Sequence, residues 1–167
     1  GNAAKELLSR PEIEKHVHFD DDVQMLQELA ESRRFCGMRL SNYVNRFDEE
    51  SQTQFAAITV QVEDGLRYIS YRGTDSTLVG WKENFNMTFT FPVPAQKSAL
   101  DYLEQTEDMG KGSFILGGHS KGGNLAMYAA AMAEPAMQCR IDTVYNFDGP
   151  GFDEKMLDTP GYERICA

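Results

Sequence analysis

Histidine is scarce in this sequence. Only His16, His18 and His119 occur among 167 residues, so a reaction that needs an imidazole base has few places to find one. Cysteine is as sparse: Cys36, Cys139 and Cys166 are odd in number and far apart, which argues against a disulfide framework and for reduced thiols. No C-x-x-C or zinc-type spacing occurs. Basic residues are outnumbered, 16 against 26 acidic, for a net charge of -10. Such a surface repels phosphate backbones and anionic lipid, which excludes nucleic acid as a partner and disfavours charge-driven membrane binding. No apolar run approaches the roughly 20 residues of a membrane span. Gly1 to Lys5 leads into no apolar stretch, so no signal peptide is visible and a cytoplasmic location is expected. There is no internal repeat and no low-complexity segment. The length suits one domain with a sizeable core.

What is present centres on residues 116–126. Ser113 to Leu116 is short and apolar enough for a buried strand, and Asn124 to Ala133 is rich in Ala, Leu and Met, good helix formers. Between them lies Gly118-His119-Ser120-Lys121-Gly122, a G-x-S-x-G in the strand–turn–helix setting of a nucleophile elbow. There the central serine takes a strained backbone conformation and presents its hydroxyl at the top of a sheet, while small neighbours let strand and helix approach. The plainer reading is a glycine-rich turn with an idle serine.

The rest of the chain fits around this stretch. His16-Val17-His18 next to Asp20-Asp21-Asp22 has metal-ligand residue types, but no full ligand set; the aspartates are better read as N-cap and favourable charge for a helix over Asp22 to Arg33. Leu40–Phe47, Phe55–Val62 and Leu66–Tyr71 predict three strands, the last two joined by the Asp64-Gly65 hairpin signal, and together an antiparallel meander. Arg72-Gly73-Thr74-Asp75 then forms a loop at a strand's C-terminal end, where α/β proteins place their sites. Leu78 to Phe85 reads as a short helix or covered loop, with Trp81 packed in the core. Pro94 suits the first position of a helix running Ala95 to Thr106. After the elbow helix, stopped near Pro135, Ile141–Phe147 is another buried strand that ends in Asp148-Gly149-Pro150, and Tyr162–Cys166 reads as the start of one more. Strands alternating with helices after the meander predict an α/β fold: a mostly parallel sheet with helices on both faces.

Three motifs in this order carry a family resemblance. Arg72-Gly73-Thr74-Asp75 with Gly80-Trp81-Lys82, Gly117-Gly118-His119-Ser120-Lys121-Gly122-Gly123-Asn124-Leu125-Ala126, and Asn146-Phe147-Asp148-Gly149-Pro150-Gly151-Phe152 resemble an uncharacterised bacterial family of α/β-hydrolases related to class 3 (fungal-type) lipases. The resemblance covers roughly residues 38–167 and implies an α/β-hydrolase core there, incomplete at its C-terminus, behind an N-terminal helical segment over 1–37. It implies Ser120 as nucleophile, with Thr74 and the backbone N–H of Lys121 as oxyanion donors. Asp148 is a candidate acid, although turn chemistry in Asp-Gly-Pro is the better account of it. The family places acid and base well after the Gly-Pro turn, so the base is expected outside this chain, and the fragment alone to be inactive. His119 adjoins Ser120 and points elsewhere, and reads as a packing or supporting residue. The Lys121 side chain is open to a role at an anionic substrate group. The resemblance thus implies a serine hydrolase, an esterase or lipase acting on a small-molecule or lipid ester, without metal or cofactor. The rival is a non-catalytic binding or regulatory module on the same scaffold.

Overall fold

The computed structural model describes residues 19–166, apart from 51–52, 75–77, 88 and 107–109. His16 and His18 lie outside the described residues. The chain divides into two compact units, Gly1–Arg39 and Leu40–Ala167.

The first unit carries helix α1 (Phe19–Glu31). It starts earlier than the sequence suggests, so Asp20, Asp21 and Asp22 lie in its first turn. Negative charge there favours the helix dipole. A turn in which Ser32 O accepts from Cys36 N at 2.9 Å follows the helix.

The second unit is a mixed five-stranded sheet flanked by helices. Its strands, β1 (Arg39–Asp48), β2 (Thr53–Glu63), β3 (Leu66–Tyr71), β4 (Ser113–His119) and β5 (Ile141–Phe147), lie side by side in chain order. The Asp64-Gly65 turn closes the β2–β3 hairpin, with Gly65 at φ 81, a conformation that favours glycine. From β3 onward the pairing is parallel, because each return stroke is made by a helical crossover: α2 (Leu78–Asn86) and α3 (Pro94–Gln105) before β4, and α4 (Lys121–Met132) before β5. Three short helices complete the unit: α5 (Pro135–Gln138), α6 (Glu154–Leu157) and α7 (Pro160–Cys166).

The core forms where α3 and α4 meet the sheet face that carries Phe55, Ala57, Ile69, Tyr71, Phe114 and Leu116. The helices contribute mostly alanine to this seam (Ala95, Ala99, Ala126, Ala129, Ala130), with Leu103 and Leu125 filling the gaps. Small side chains let the helix axes sit close to the sheet, and each large side chain fully removed from water contributes about 1.5–3 kcal/mol. Phe55, Tyr71 and Tyr102 form a tilted ring triad with centroids 6.2–6.3 Å apart. The buried Tyr71 hydroxyl donates to Ala99 O at 3.1 Å, which fixes β3 to α3.

Two expectations are corrected here. Tyr162–Cys166 is part of α7, not a strand: Pro160 opens the helix and Thr159 Oγ1 accepts from Tyr162 N at 3.2 Å, as a cap does. Trp81 is not core; it is 62% exposed on α2, whose inward residue is Glu83.

Candidate functional site

Strand register builds the site. Tyr71 pairs with Gly118, Gly118 with Asn146 and His119 with Phe147, so β3, β4 and β5 end level. The residues that follow them, Arg72-Gly73-Thr74, Ser120 and Asp148, therefore emerge along one edge of the sheet. In a parallel sheet this C-terminal edge is where binding crevices open.

Ser120 sits at φ 54, ψ −128, between the last residue of β4 and the first of α4. A non-glycine residue with positive φ stores strain of order 1–3 kcal/mol and persists only when its surroundings impose it. They do so here. Ser120 N donates to Phe147 O at 2.8 Å, and Ser120 O accepts from Gly123 N at 2.9 Å in the first turn of α4. The glycines around it are demanded by contact: a Cβ on Gly122 would overlap the Tyr71 carbonyl oxygen, and one on Gly118 would lie 2.5 Å from both Tyr71 O and Gly122 C. The Ser120 hydroxyl makes no capping bond to the helix it begins.

The Arg72–Thr74 loop lies directly against this turn. A Cβ on Gly73 would be 2.8 Å from His119 O and 3.7 Å from Ser120 Cβ. Arg72 N is held by Ala56 O at 2.9 Å. Thr74 Oγ1 is buried, and no described residue partners it.

On the other side, the segment after β5 is fastened to the elbow helix. Asn124 Nδ2 donates to Pro150 O at 3.1 Å and Gly151 O at 3.2 Å, and Asn124 Oδ1 accepts from Gln96 Nε2 at 2.9 Å. Asn146 Oδ1 accepts from Gly149 N at 3.0 Å and leaves no room for a Cβ on Gly123. Asp148 is exposed, at φ 55, one residue beyond the carbonyl that holds Ser120. His119, the residue before Ser120, is also exposed. A cleft of about 270 Å³ opens between α2 and this segment, lined by Asn84, Met87, Pro150, Gly151, Phe152 and Asp153. Asn84 Oδ1 is buried and unpartnered among the described residues.

The Lys121 side chain is placed where the sequence did not suggest. It is fully buried and turned into the core, with Nζ donating to Gln54 O at 2.6 Å, Gln54 Oε1 at 2.7 Å and Glu83 Oε2 at 2.8 Å. A role at an anionic substrate group is thereby excluded. Gln54 and Glu83 were not singled out in the sequence. The signal for Glu83 was its place in Trp81-Lys82-Glu83-Asn84, which reads as an ordinary polar helix face until the partner is known.

Among the described residues no group of three His, Cys, Asp or Glu comes together as a metal site, and no helix is long and apolar enough to cross a membrane. A solved fungal lipase–inhibitor complex, described as a model for interfacial activation in lipases, is similar at 14% identity with a TM-score of 0.41, over 56% of this chain and 40% of that one. The chain thus spans well under half the length of that lipase. No curated protein matches. Residues 29–167, most of the chain, match the Mbeg1-like family, and the chain belongs to it.

Proposed function

We propose that the protein is a serine hydrolase acting on an acyl ester, with Ser120 as nucleophile. The observation that carries this reading is the Ser120 backbone at φ 54, ψ −128 with the Gly73–Thr74 loop in contact with it. A strained serine between strand and helix points its hydroxyl out of the sheet, and a second loop alongside supplies donors for a negative oxygen. In the proposed reaction Ser120 Oγ attacks the ester carbonyl. The oxyanion that forms is held by the Lys121 N–H, at the positive end of α4, and by Thr74, whose hydroxyl is buried and has no partner among the described residues, which suits it to such a role. Each donor of this kind is worth roughly 3 kcal/mol of transition-state stabilisation. Collapse expels the alcohol and leaves an acyl-serine, which water then hydrolyses.

A serine hydroxyl needs a base to take its proton. His119 is next to Ser120 in the chain and exposed, so the reading takes its histidine from outside the described residues. Asp148 is assigned as the candidate acid to orient that base. The cleft beside Asn84 and Phe152 accepts part of the substrate. At about 270 Å³ it falls just below the roughly 300–1,000 Å³ of common ligand pockets, which suits a short acyl chain or a small alcohol.

Labelling with a fluorophosphonate tests the reading. Full-length protein is expected to be modified at Ser120, and Ser120→Ala to lose the label. Well-folded full-length protein that takes up no label would instead favour a binding module on the same scaffold.

A further inference from the structure

The charge cluster beneath the elbow is costly to build. Lys121 is fully buried and Glu83 is 1% exposed, and the two meet at 2.8 Å. Removing both charges from water costs more than seating apolar residues of the same volume, so stability alone does not account for a pair in this place. The bonding is directional throughout. Three acceptors meet the three ammonium protons of Lys121. Glu83 also accepts from Gln54 N through Oε2 and from Ala95 N through Oε1, each at 3.0 Å. Gln54 keeps its Oε1 on the lysine although its own buried Nε2 has no partner among the described residues. An unmet donor lowers stability, so this arrangement favours placement of the ammonium over the lowest-energy core.

The cluster therefore joins the first residues of β2, the middle of α2, the first turn of α3 and the first residue of α4. That last residue carries the backbone N–H adjacent to Ser120. We infer that Glu83 and Gln54 are positioning residues for the oxyanion donor: by clamping the Lys121 side chain from inside the core they fix where its N–H points. The inference rests on the reading of Ser120 as nucleophile. Neither residue touches substrate. Both act through Lys121.

The test is the second-order rate at which a fluorophosphonate labels Ser120 in full-length wild type, Glu83→Gln and Gln54→Leu, at a temperature where circular dichroism shows each protein folded. Positioning predicts labelling slower by about tenfold in Glu83→Gln and about threefold in Gln54→Leu, because a small displacement of an oxyanion donor is felt only in the transition state. With p-nitrophenyl butyrate, kcat is expected to fall by the same factors while KM holds. A purely structural role would lower the melting temperature and leave the rates of the folded variants at the wild-type value, and that result overturns the inference while the nucleophile assignment stands. Should Glu83→Gln not fold, Gln54→Leu decides, since it keeps the ion pair. Wild-type protein that is not labelled at all overturns both readings together.

Discussion

Lys121 shows how a single residue can be misread from its neighbours in the chain. Beside a proposed nucleophile, an ammonium invites a role at the substrate, yet its partners are 38 and 67 positions away and no local pattern announces them. Lys121→Met would leave the Glu83 carboxylate buried without its counter-charge, a loss of about 3–5 kcal/mol. At roughly 2–4 °C per kcal/mol for a chain of this size, thermal melting should register a drop on the order of 6–20 °C. A drop of a degree or two would mean that water reaches Glu83. Gly122 makes the complementary point, since its need for glycine was legible in the motif. Gly122→Ala drives a methyl group into the Tyr71 carbonyl and is expected to destabilise by at least about 1–3 kcal/mol in urea unfolding. Gly151→Ala, with nothing within 4 Å, should stay within about 0.5 kcal/mol of wild type.

Among the elements, those with a strong period or a strong breaker were legible. The alternation of Phe55–Val62 and the Asp64-Gly65 turn yielded β2 and β3 nearly to the residue, and Pro94 marked the start of α3. The strand–turn–helix setting of Ser120 could be read for the same reason: apolar strand, glycine turn and alanine-rich helix are all local signals. Failures came where local and tertiary preferences diverged. Tyr162–Cys166 looks like a strand by composition, but Thr159-Pro160 starts a helix, which docks through Gln138 Nε2 donating to Ala130 O at 2.8 Å and Gly161 O at 3.2 Å. Trp81 looks like a core residue by type, whereas α2 turns inward the carboxylate that Lys121 requires. The proximity of Gly73 to Ser120, set by a register that pairs Tyr71 with Gly118, 47 positions on, is accessible from the sequence only through the family resemblance.

For the molecule as a whole, the aromatic core makes alkaline conditions informative. Burial pushes the Tyr71 hydroxyl well above its ordinary value of 10.0, and Tyr102 alongside adds to the rise. Tyr102 and Tyr128 are raised too, in each case chiefly by burial. The folded protein keeps protons that the unfolded chain releases. The contribution is thus intact below pH 10 and is lost as pH climbs through that value toward the folded one. Urea unfolding at about pH 8 and about pH 11 should show a clear loss of stability, smaller in Tyr71→Phe than in wild type. An equal loss in both would place the titration elsewhere.

At this scale the ends of β3, β4 and β5 bring the Arg72–Thr74 loop, Ser120 and Asp148 to one edge of the sheet, and the proposed function assigns them the roles of oxyanion donor, nucleophile and acid. The most direct measurement is the crystal structure of full-length protein phosphonylated at Ser120. The phosphoryl oxygen is expected within about 2.7–3.1 Å of both Lys121 N and a Thr74 donor. An oxygen turned to solvent and bonded to neither would contradict the proposed oxyanion hole.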